Sequence, residues 1–432
     1  MKKLGFLFFA GIIALSGCRD TVTETITYFI NEPILMSEIE FRSSLKTGAE
    51  PRAISNYGKM CFYEGYIYIS ESGTGIHIIN NSDPTNPQNI AFIELLGNAD
   101  LAIRNGKLYA DAYMDLVWFD INDPSDPKYV GRLENVFVHY GYDPMPETGN
   151  NFGIDYNMYR NADGSRKGVV VGWKLSHRTE TITYDRGGWG WERRGGEMLF
   201  DGSTNKGGSG SSSFGITGSM SRFAQYSDYL YSVINNYMSI FNLSGAEPVK
   251  AADNIYIGWN VETIFSYKDN LFIGSPMAMI IYSVADPLKP EFMSSSMHVW
   301  GCDPVVVEND IAYVTVHADN FCGQDNNDLI IYDVSNVRKP QQIVSYAMTK
   351  PKGLAVDNGV LFVCDAGLKI FNAANPQTIM ANQLAHYSGM EGYDVIAFNN
   401  LLMMIADDGL YQYDYSDVTK IFQLSKLPFE KK

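Results

Sequence analysis

A short apolar run that ends in a polar residue recurs seven times along this chain of 432 residues. The residues that end these runs are Asn80, Asp120, Asn242, Ser283, Asp333, Asn372 and Asp414. Most of them are about 40 residues apart, and the exceptions are one interval of about 122 residues and one of about 50. Because β-propeller blades recur every 40 to 45 residues or so, this period predicts seven blades.

Each repeat has the pattern of successive β-hairpins. A Gly or Asp turn precedes an aromatic or β-branched run, as at residues 65–69 and 310–314, and a second run ends in Asp-Pro-x-x-Pro, as at residues 83–87 and 286–290. Proline fixes its own φ and removes a ladder donor, so each strand must stop at this turn. The sequence therefore predicts an all-β fold, namely a seven-bladed β-propeller of four-stranded antiparallel blades with an insertion after the second blade.

These runs and turns resemble the LVIVD repeat, a β-propeller unit named for its Leu-Val-Ile-Val-Asp strand. The copy nearest to that strand is Leu329-Ile-Ile-Tyr-Asp333, and the resemblance covers most of residues 54–417. It implies a propeller of the kind that is common in secreted and lipid-anchored bacterial proteins. It implies no particular reaction, because most members of this repeat family have none assigned.

The N-terminus has the pattern of a lipoprotein signal peptide. Lys2 and Lys3 precede an apolar run over residues 4–15, which is too short to span a bilayer as a permanent helix. The run is followed by Leu15-Ser-Gly-Cys18, which is similar to a bacterial lipobox. We therefore expect Cys18 to carry acyl chains such as palmitate after residues 1–17 are removed. The alternative is an ordinary secretory signal that contains a cysteine.

Lipid attachment sets the expected compartment and domain order. We expect residues 18–31 to form a tether and residues 32–432 to form the propeller domain. The expected location is the outer membrane of a Gram-negative bacterium, on either its periplasmic or its outer surface.

An oxidising compartment permits disulfides between the remaining cysteines. Cys302 and Cys322 lie in two loops that share one face of a blade, so we predict a disulfide between them. Cys61 and Cys364 fall within strand patterns, and we expect both to be buried free thiols. No Cys-x-x-Cys or paired-His spacing occurs, and we predict no metal site.

The long interval after Asp120 contains either an insertion or two unrecognised blades, and we favour an insertion over residues 134–218. Within it, residues 167–184 have the strand pattern of an outer blade edge, and residues 187–213 are rich in Gly and Ser. The loop carries Trp189 and Trp191, which could bind a sugar or a protein partner or could fold back on the blade.

Two segments compete for the outer strand of the last blade. Residues 32–41 resemble the strand that follows the proline turn in other repeats, and an N-terminal strand in that position would close the ring. The C-terminal residues 420–424 have the same pattern. We predict closure by the N-terminal strand.

The loops before the inner strands meet around the central channel of a propeller, and their side chains are candidates for ligand binding. The candidates are Glu262, Asp303, Lys352, Asp394, Trp259, Trp300 and Arg222, and Lys59 lies in the adjoining ring of positions. Acidic and basic groups converging in this way could bind an ion or a small polar ligand. Ion pairs that line a water-filled channel account for them equally well.

The search for catalytic chemistry finds no nucleophile elbow, zinc signature or phosphate loop. A net charge of −16 argues against nucleic acid as a partner. We therefore expect a monomeric binding or interaction module without a cofactor, whose partners are the membrane and an envelope protein or glycan. The alternative is an enzyme that uses the channel face, such as a hydrolase or lyase acting on a sugar or lactone.

Overall fold

The computed structural model describes residues 21–137, 153–154, 158–185, 215–298, 304–318 and 327–430. The chain divides into two compact units. One comprises residues 1–35 and 145–202, and the other comprises residues 36–144 and 203–432. Within the described ranges, no helix has the length and apolar character needed to cross a membrane.

The larger unit is a seven-bladed β-propeller, which confirms the predicted fold class. Blade 1 consists of β3 (Tyr57–Tyr63), β4 (Tyr66–Glu71), β5 (Gly75–Asn80) and β6 (Gln88–Glu94). Blade 2 consists of β7 (Leu101–Arg104), β8 (Lys107–Ala112), β9 (Asp115–Asp120) and β10 (Lys128–Leu133). Blade 3 consists of β14 (Phe223–Tyr226), β15 (Tyr229–Asn242) and β16 (Val249–Val261). Blade 3 thus has three strands in the part of the chain that the structure describes.

Blades 4 to 7 each have four antiparallel strands. Blade 4 consists of β17 (Thr263–Tyr267), β18 (Asn270–Ser275), β19 (Ala278–Ser283) and β20 (Glu291–Met297), and blade 5 of β21 (Val305–Glu308), β22 (Ile311–Val316), β23 (Asp328–Asp333) and β24 (Gln341–Ala347). Blade 6 consists of β25 (Leu354–Asp357), β26 (Val360–Cys364), β27 (Leu368–Asn372) and β28 (Gln383–Tyr387). Blade 7 consists of β29 (Gly392–Phe398), β30 (Leu401–Ala406), β31 (Gly409–Asp414) and β32 (Phe422–Pro428). A 3₁₀ helix, Pro376–Asn382, precedes β28.

The polar residue that marks each repeat has the same structural role in all seven blades. Its side-chain oxygen accepts a hydrogen bond from the backbone N–H two residues later, at 2.8 to 3.3 Å. This bond turns the chain out of the third strand. The repeat in the sequence is therefore a repeat of one local turn.

Apolar side chains form the core between neighbouring blades. Buried clusters join blades 2 and 3, 3 and 4, 4 and 5, 5 and 6, 6 and 7, and 7 and 1. In the last of these, Met60 and Ile69 of blade 1 pack with Met403 and Ile405 of blade 7. The hydrophobic effect thus closes the ring without any exchange of strands.

Hydrogen bonds support the same junction between blades 7 and 1. The buried amides of Asn81 and Gln412 bond to each other twice, at 2.8 and 2.6 Å. The Glu430 N–H donates to the Ile54 carbonyl at 2.8 Å. Since β32 is the outer strand of blade 7, the prediction of closure by residues 32–41 is wrong, and the competing C-terminal segment takes that position.

Residues 37–49, at the N-terminal end of this unit, contact blades 1 and 2 instead. Helix α1 (Glu38–Ser43) begins with a capping box formed by Ser37 and Glu40. Its Arg42 bonds to the buried carboxylate of Asp115 at 3.0 Å, in blade 2. The following strand, β2 (Lys46–Ala49), pairs with β6 at the outer edge of blade 1.

The smaller unit contains a three-stranded sheet with the order β11 (Gly153–Ile154), β1 (Thr21–Met36) and β12 (Val169–Asp185). The hydroxyls of Thr27 and Thr179 are 3.0 Å apart across β1 and β12. Most of the expected tether is therefore a strand, because its alternating β-branched residues find a partner. Residues 167–184 do form a strand, but it pairs with β1, so its predicted place at a blade edge is wrong.

Candidate functional site

A segment of the chain runs lengthwise through the central channel of the propeller. Residues 215–222, the central segment, include β13 (Ile216–Thr217), which pairs antiparallel with the inner strand of blade 1. The segment also bonds to blades 2 and 4, through Gly215 N–H to the Ile103 carbonyl at 2.8 Å and Ile264 N–H to the Ser221 carbonyl at 2.9 Å. The channel is therefore occupied by the protein's own backbone.

Two glycines allow the central segment to lie so close to the inner strands. A Cβ atom at position 218 would lie 1.9 Å from Oδ2 of Asp394, and one at position 215 would lie 2.5 Å from Sγ of Cys61. Such approaches are open only to glycine at these backbone positions. The sequence of this segment has no strand periodicity, so no pattern in the sequence indicated where it would lie.

Asp394, a predicted ligand-binding residue, is fully buried against the central segment. Its carboxylate accepts hydrogen bonds from Ser219 Oγ at 3.1 Å, from Met220 N–H at 3.4 Å and from Val395 N–H at 2.9 Å. Burial raises the pKa of Asp394 to about 6, and the positive charge of Lys59 opposes this shift.

Asp100 of blade 2 has a matching environment and is also fully buried. It accepts hydrogen bonds from Ser221 Oγ at 3.2 Å, from Leu101 N–H at 2.7 Å and from Arg222 N–H. Burial raises its pKa to about 6, against the opposing charges of Arg222 and Lys59. Two buried carboxyls, one from blade 7 and one from blade 2, thus bond to the central segment.

Two cations accompany these carboxyls. Lys59 Nζ lies 3.4 Å from the hydroxyl of Tyr393 and 5.7 Å from the centre of its ring. Arg222 Nη2 lies 3.8 Å from the buried carboxylate of Asp111. Of the charged residues expected around the channel, the structure therefore brings Asp394, Arg222 and Lys59 together at the central segment. Asp100 belongs to the same group.

The other candidates with described side chains are Lys352 and Glu262, and both lie apart from this group. Lys352 forms an ion pair with Glu391 at 3.6 Å beside a cavity of about 180 Å³. Glu262 is half-buried and accepts a hydrogen bond from Asn260 at 3.4 Å. Trp259 was expected in a loop, but it belongs to β16, because the last strand of blade 3 continues to Val261.

Several predicted residues lie outside the described part of the chain. These are the lipidation site Cys18, the disulfide pair Cys302 and Cys322, the candidates Trp300 and Asp303, and the loop residues Trp189 and Trp191. The predictions about them stay predictions.

Cys61 and Cys364 are buried and free, as predicted. Burial raises the pKa of both thiols well above its usual value, so neither is present as a reactive thiolate at neutral pH. Within the described ranges, no group of three His, Cys, Asp or Glu side chains could hold a metal ion.

In blades 1, 2 and 6, a carboxylate at the end of the second strand accepts hydrogen bonds from the loop that leads into the inner strand. Asp111 accepts from the N–H groups of Ala99 and Asp100, and Asp365 accepts from those of Thr349 and Lys350. Glu71 does the same in blade 1. This role was not among the predictions, although the acidic residues that follow several second apolar runs in the sequence are a signal for it.

Comparison with known proteins supports the fold. No protein-family model and no curated protein matches the chain. A solved structure from Bacteroides fragilis NCTC 9343, described as a "putative 6-phosphogluconolactonase", is 8% identical over 88% of this chain and 98% of that chain, with a TM-score of 0.52. At this identity the similarity shows the fold alone.

Two further solved structures match over similar lengths. The computationally designed Ika8 protein is 7% identical over 93% of this chain and 92% of that one, with a TM-score of 0.47. BamB from Moraxella catarrhalis is 10% identical over 90% and 97%, with a TM-score of 0.46.

Proposed function

We propose that this protein is a lipid-anchored β-propeller of the bacterial envelope that acts as a binding or interaction module. Its expected location is the outer membrane of a Gram-negative cell, and its expected partner is an envelope protein or glycan. The proposal does not assign a reaction to the channel face.

The observation that carries the module function is the occupied channel. Propeller enzymes need reactive groups that a substrate can reach, whereas Asp394 and Asp100 are fully buried and bonded to the central segment. Their carboxylates therefore support a rigid frame. Loops held on such a frame are suited to presenting a fixed surface to a partner.

The lipid anchor rests on the N-terminal sequence. Two lysines, an apolar run of signal-peptide length and a cysteine at position 18 occur in the order that lipoprotein processing requires. Covalent acyl chains would hold the protein at a membrane surface through their burial in the bilayer.

The anchor is tested by expressing the full chain and Cys18→Ala in a Gram-negative host supplied with an alkyne-labelled palmitate. We expect the unaltered chain to take up the label and to sediment with the outer membrane, and the variant to do neither. A matched Cys61→Ala variant should keep both properties. Label uptake by Cys18→Ala would contradict the proposal.

A channel-face enzyme is the second candidate, favoured by one observation. The two carboxyls with pKa raised to about 6 are suited to proton transfer near neutral pH. A panel of lactones and aryl glycosides, assayed with the unaltered chain, Asp100→Asn and Asp394→Asn, separates the candidates. The module function predicts no turnover by any of the three. Turnover by the unaltered chain that both variants lose would establish the enzyme.

A further inference from the structure

The central segment leaves part of the channel open. Because β13 pairs with blade 1, the segment lies to one side, and a cavity of about 220 Å³ remains between it and the inner strands of blades 2, 3 and 4. Thr217 of the segment forms one wall, and Ala102, Phe223 and Ser266 lie on the three blades. This cavity is separate from the buried carboxyls described above.

The walls of the cavity offer uncharged polar groups. The hydroxyls of Thr217 and Ser266 are both half-buried, and Oε1 of Gln225 is a buried acceptor without a hydrogen-bond partner among the described residues. The amide of Gln225 is held in place, since its Nε2 donates to the Ile103 carbonyl at 3.0 Å. The inner strands β7, β14 and β17 also lie at the edges of their sheets. Some of their backbone N–H and C=O groups therefore form no hydrogen bond to a neighbouring strand.

The rest of the wall that the described residues form is apolar. The half-buried ring of Phe265 supplies a flat apolar surface, and none of the described residues that line the cavity is acidic or basic. An ionic ligand would lose its hydration there without gaining a counter-charge. The net charge of −16 further disfavours anions.

We propose that this cavity binds a small uncharged polyol, namely a single sugar ring. Its volume of about 220 Å³ is below the 300 Å³ or so at which drug-sized pockets begin, which limits the ligand to about one ring. A sugar ring has hydroxyls for Thr217, Ser266 and the free backbone groups, and an apolar C–H face for Phe265. The proposal does not depend on lipid attachment or on the identity of any protein partner.

The test uses four neutral probes: the methyl α-glycosides of glucose, galactose and mannose, and myo-inositol. Binding to the full chain, purified in detergent, is measured by saturation-transfer NMR and by titration to tens of millimolar, because single rings commonly bind in about the millimolar range. Glucuronate and glucosamine serve as charged comparators. We expect at least one neutral probe to bind and both charged sugars to bind at least about tenfold more weakly.

Two conservative variants locate the site. Thr217→Val keeps the shape of the side chain and Ser266→Ala removes a single oxygen, and each should weaken binding about two- to tenfold through the loss of one hydrogen bond. Ser295→Ala, on the exposed outer strand of blade 4, is the matched control and should bind normally. Circular dichroism of each variant verifies folding.

Three results would overturn the proposal. The first is that none of the four neutral probes binds to the folded chain. The second is that a probe binds with the same affinity to Thr217→Val, Ser266→Ala and the unaltered chain, which would place it elsewhere. The third is that glucuronate binds as well as the neutral sugars, which would show a charged site.

Discussion

The amide pair between blades 7 and 1 should contribute strongly to ring closure. Asn81 and Gln412 are both buried, and each amide donates one hydrogen bond to the other. Gln412→Met keeps the approximate shape but removes both bonds and leaves the Asn81 amide buried without them. Two net hydrogen bonds and one unpaired buried amide together amount to about 2–4 kcal/mol of lost unfolding free energy.

A double-mutant cycle isolates this contribution. Asn81→Leu alone should cost somewhat less than Gln412→Met, since it leaves the Gln412 amide with its 3.4 Å bond to Ser425 Oγ. The double variant replaces both partners with apolar groups, so its loss should be smaller than the sum of the single losses by about 2 kcal/mol. Gln383→Met, at an exposed position of β28, is the control and should change stability by less than about 0.5 kcal/mol.

Urea-induced unfolding, followed by far-ultraviolet circular dichroism, measures the four variants and the unaltered chain. Hydrogen exchange should show where the loss acts, with faster exchange in the inner strands of blades 1 and 7 than in blade 4. Additive single losses, with a coupling below about 0.5 kcal/mol, would refute a contribution of this amide pair to ring closure.

Three other properties can be checked on the same protein. Gly218→Ala places a Cβ 1.9 Å from the Asp394 carboxylate and should lower the unfolding free energy by about 1–3 kcal/mol in urea titrations, whereas Gly245→Ala, with its nearest atom 3.4 Å away, should not. Burial raises the pKa of Asp394 from 3.8 to about 6, so the protonated carboxyl stabilises the fold fully below about pH 4 and this contribution is lost as the pH rises through about 6. The melting temperature of Asp394→Asn relative to the unaltered chain should therefore rise between about pH 4 and 7, and a constant difference would contradict the raised pKa. Cys61 and Cys364 should resist a thiol reagent in the folded protein and react fully in urea, as followed by peptide mapping.

The blades could be predicted from the sequence because their signals are local. Each turn depends on a side chain and a backbone N–H two residues apart, as between Asp333 and Ser335. The proline turns and the alternating strands likewise involve residues that are close in the chain. Such contacts leave a repeated pattern that a single sequence displays.

The contents of the channel could not be predicted in this way. Ser219 bonds to Asp394, 175 positions away, and Ser221 bonds to Asp100, 121 positions away. The segment that carries these serines has no strand periodicity, and its place depends on contacts with blades that are distant in the chain. The burial that raises the pKa of Asp100 and Asp394 is likewise a consequence of that assembly.

The sequence by itself determined the class of fold and the number of blades, because turn chemistry and strand periodicity act over a few residues. Only the tertiary structure decided how the ring closes, which strand pairs with residues 21–36, and that the predicted ligand residue Asp394 holds the chain's own backbone. These outcomes depend on packing and hydrogen bonds between residues far apart in the chain, whose pairing only the folded ring specifies.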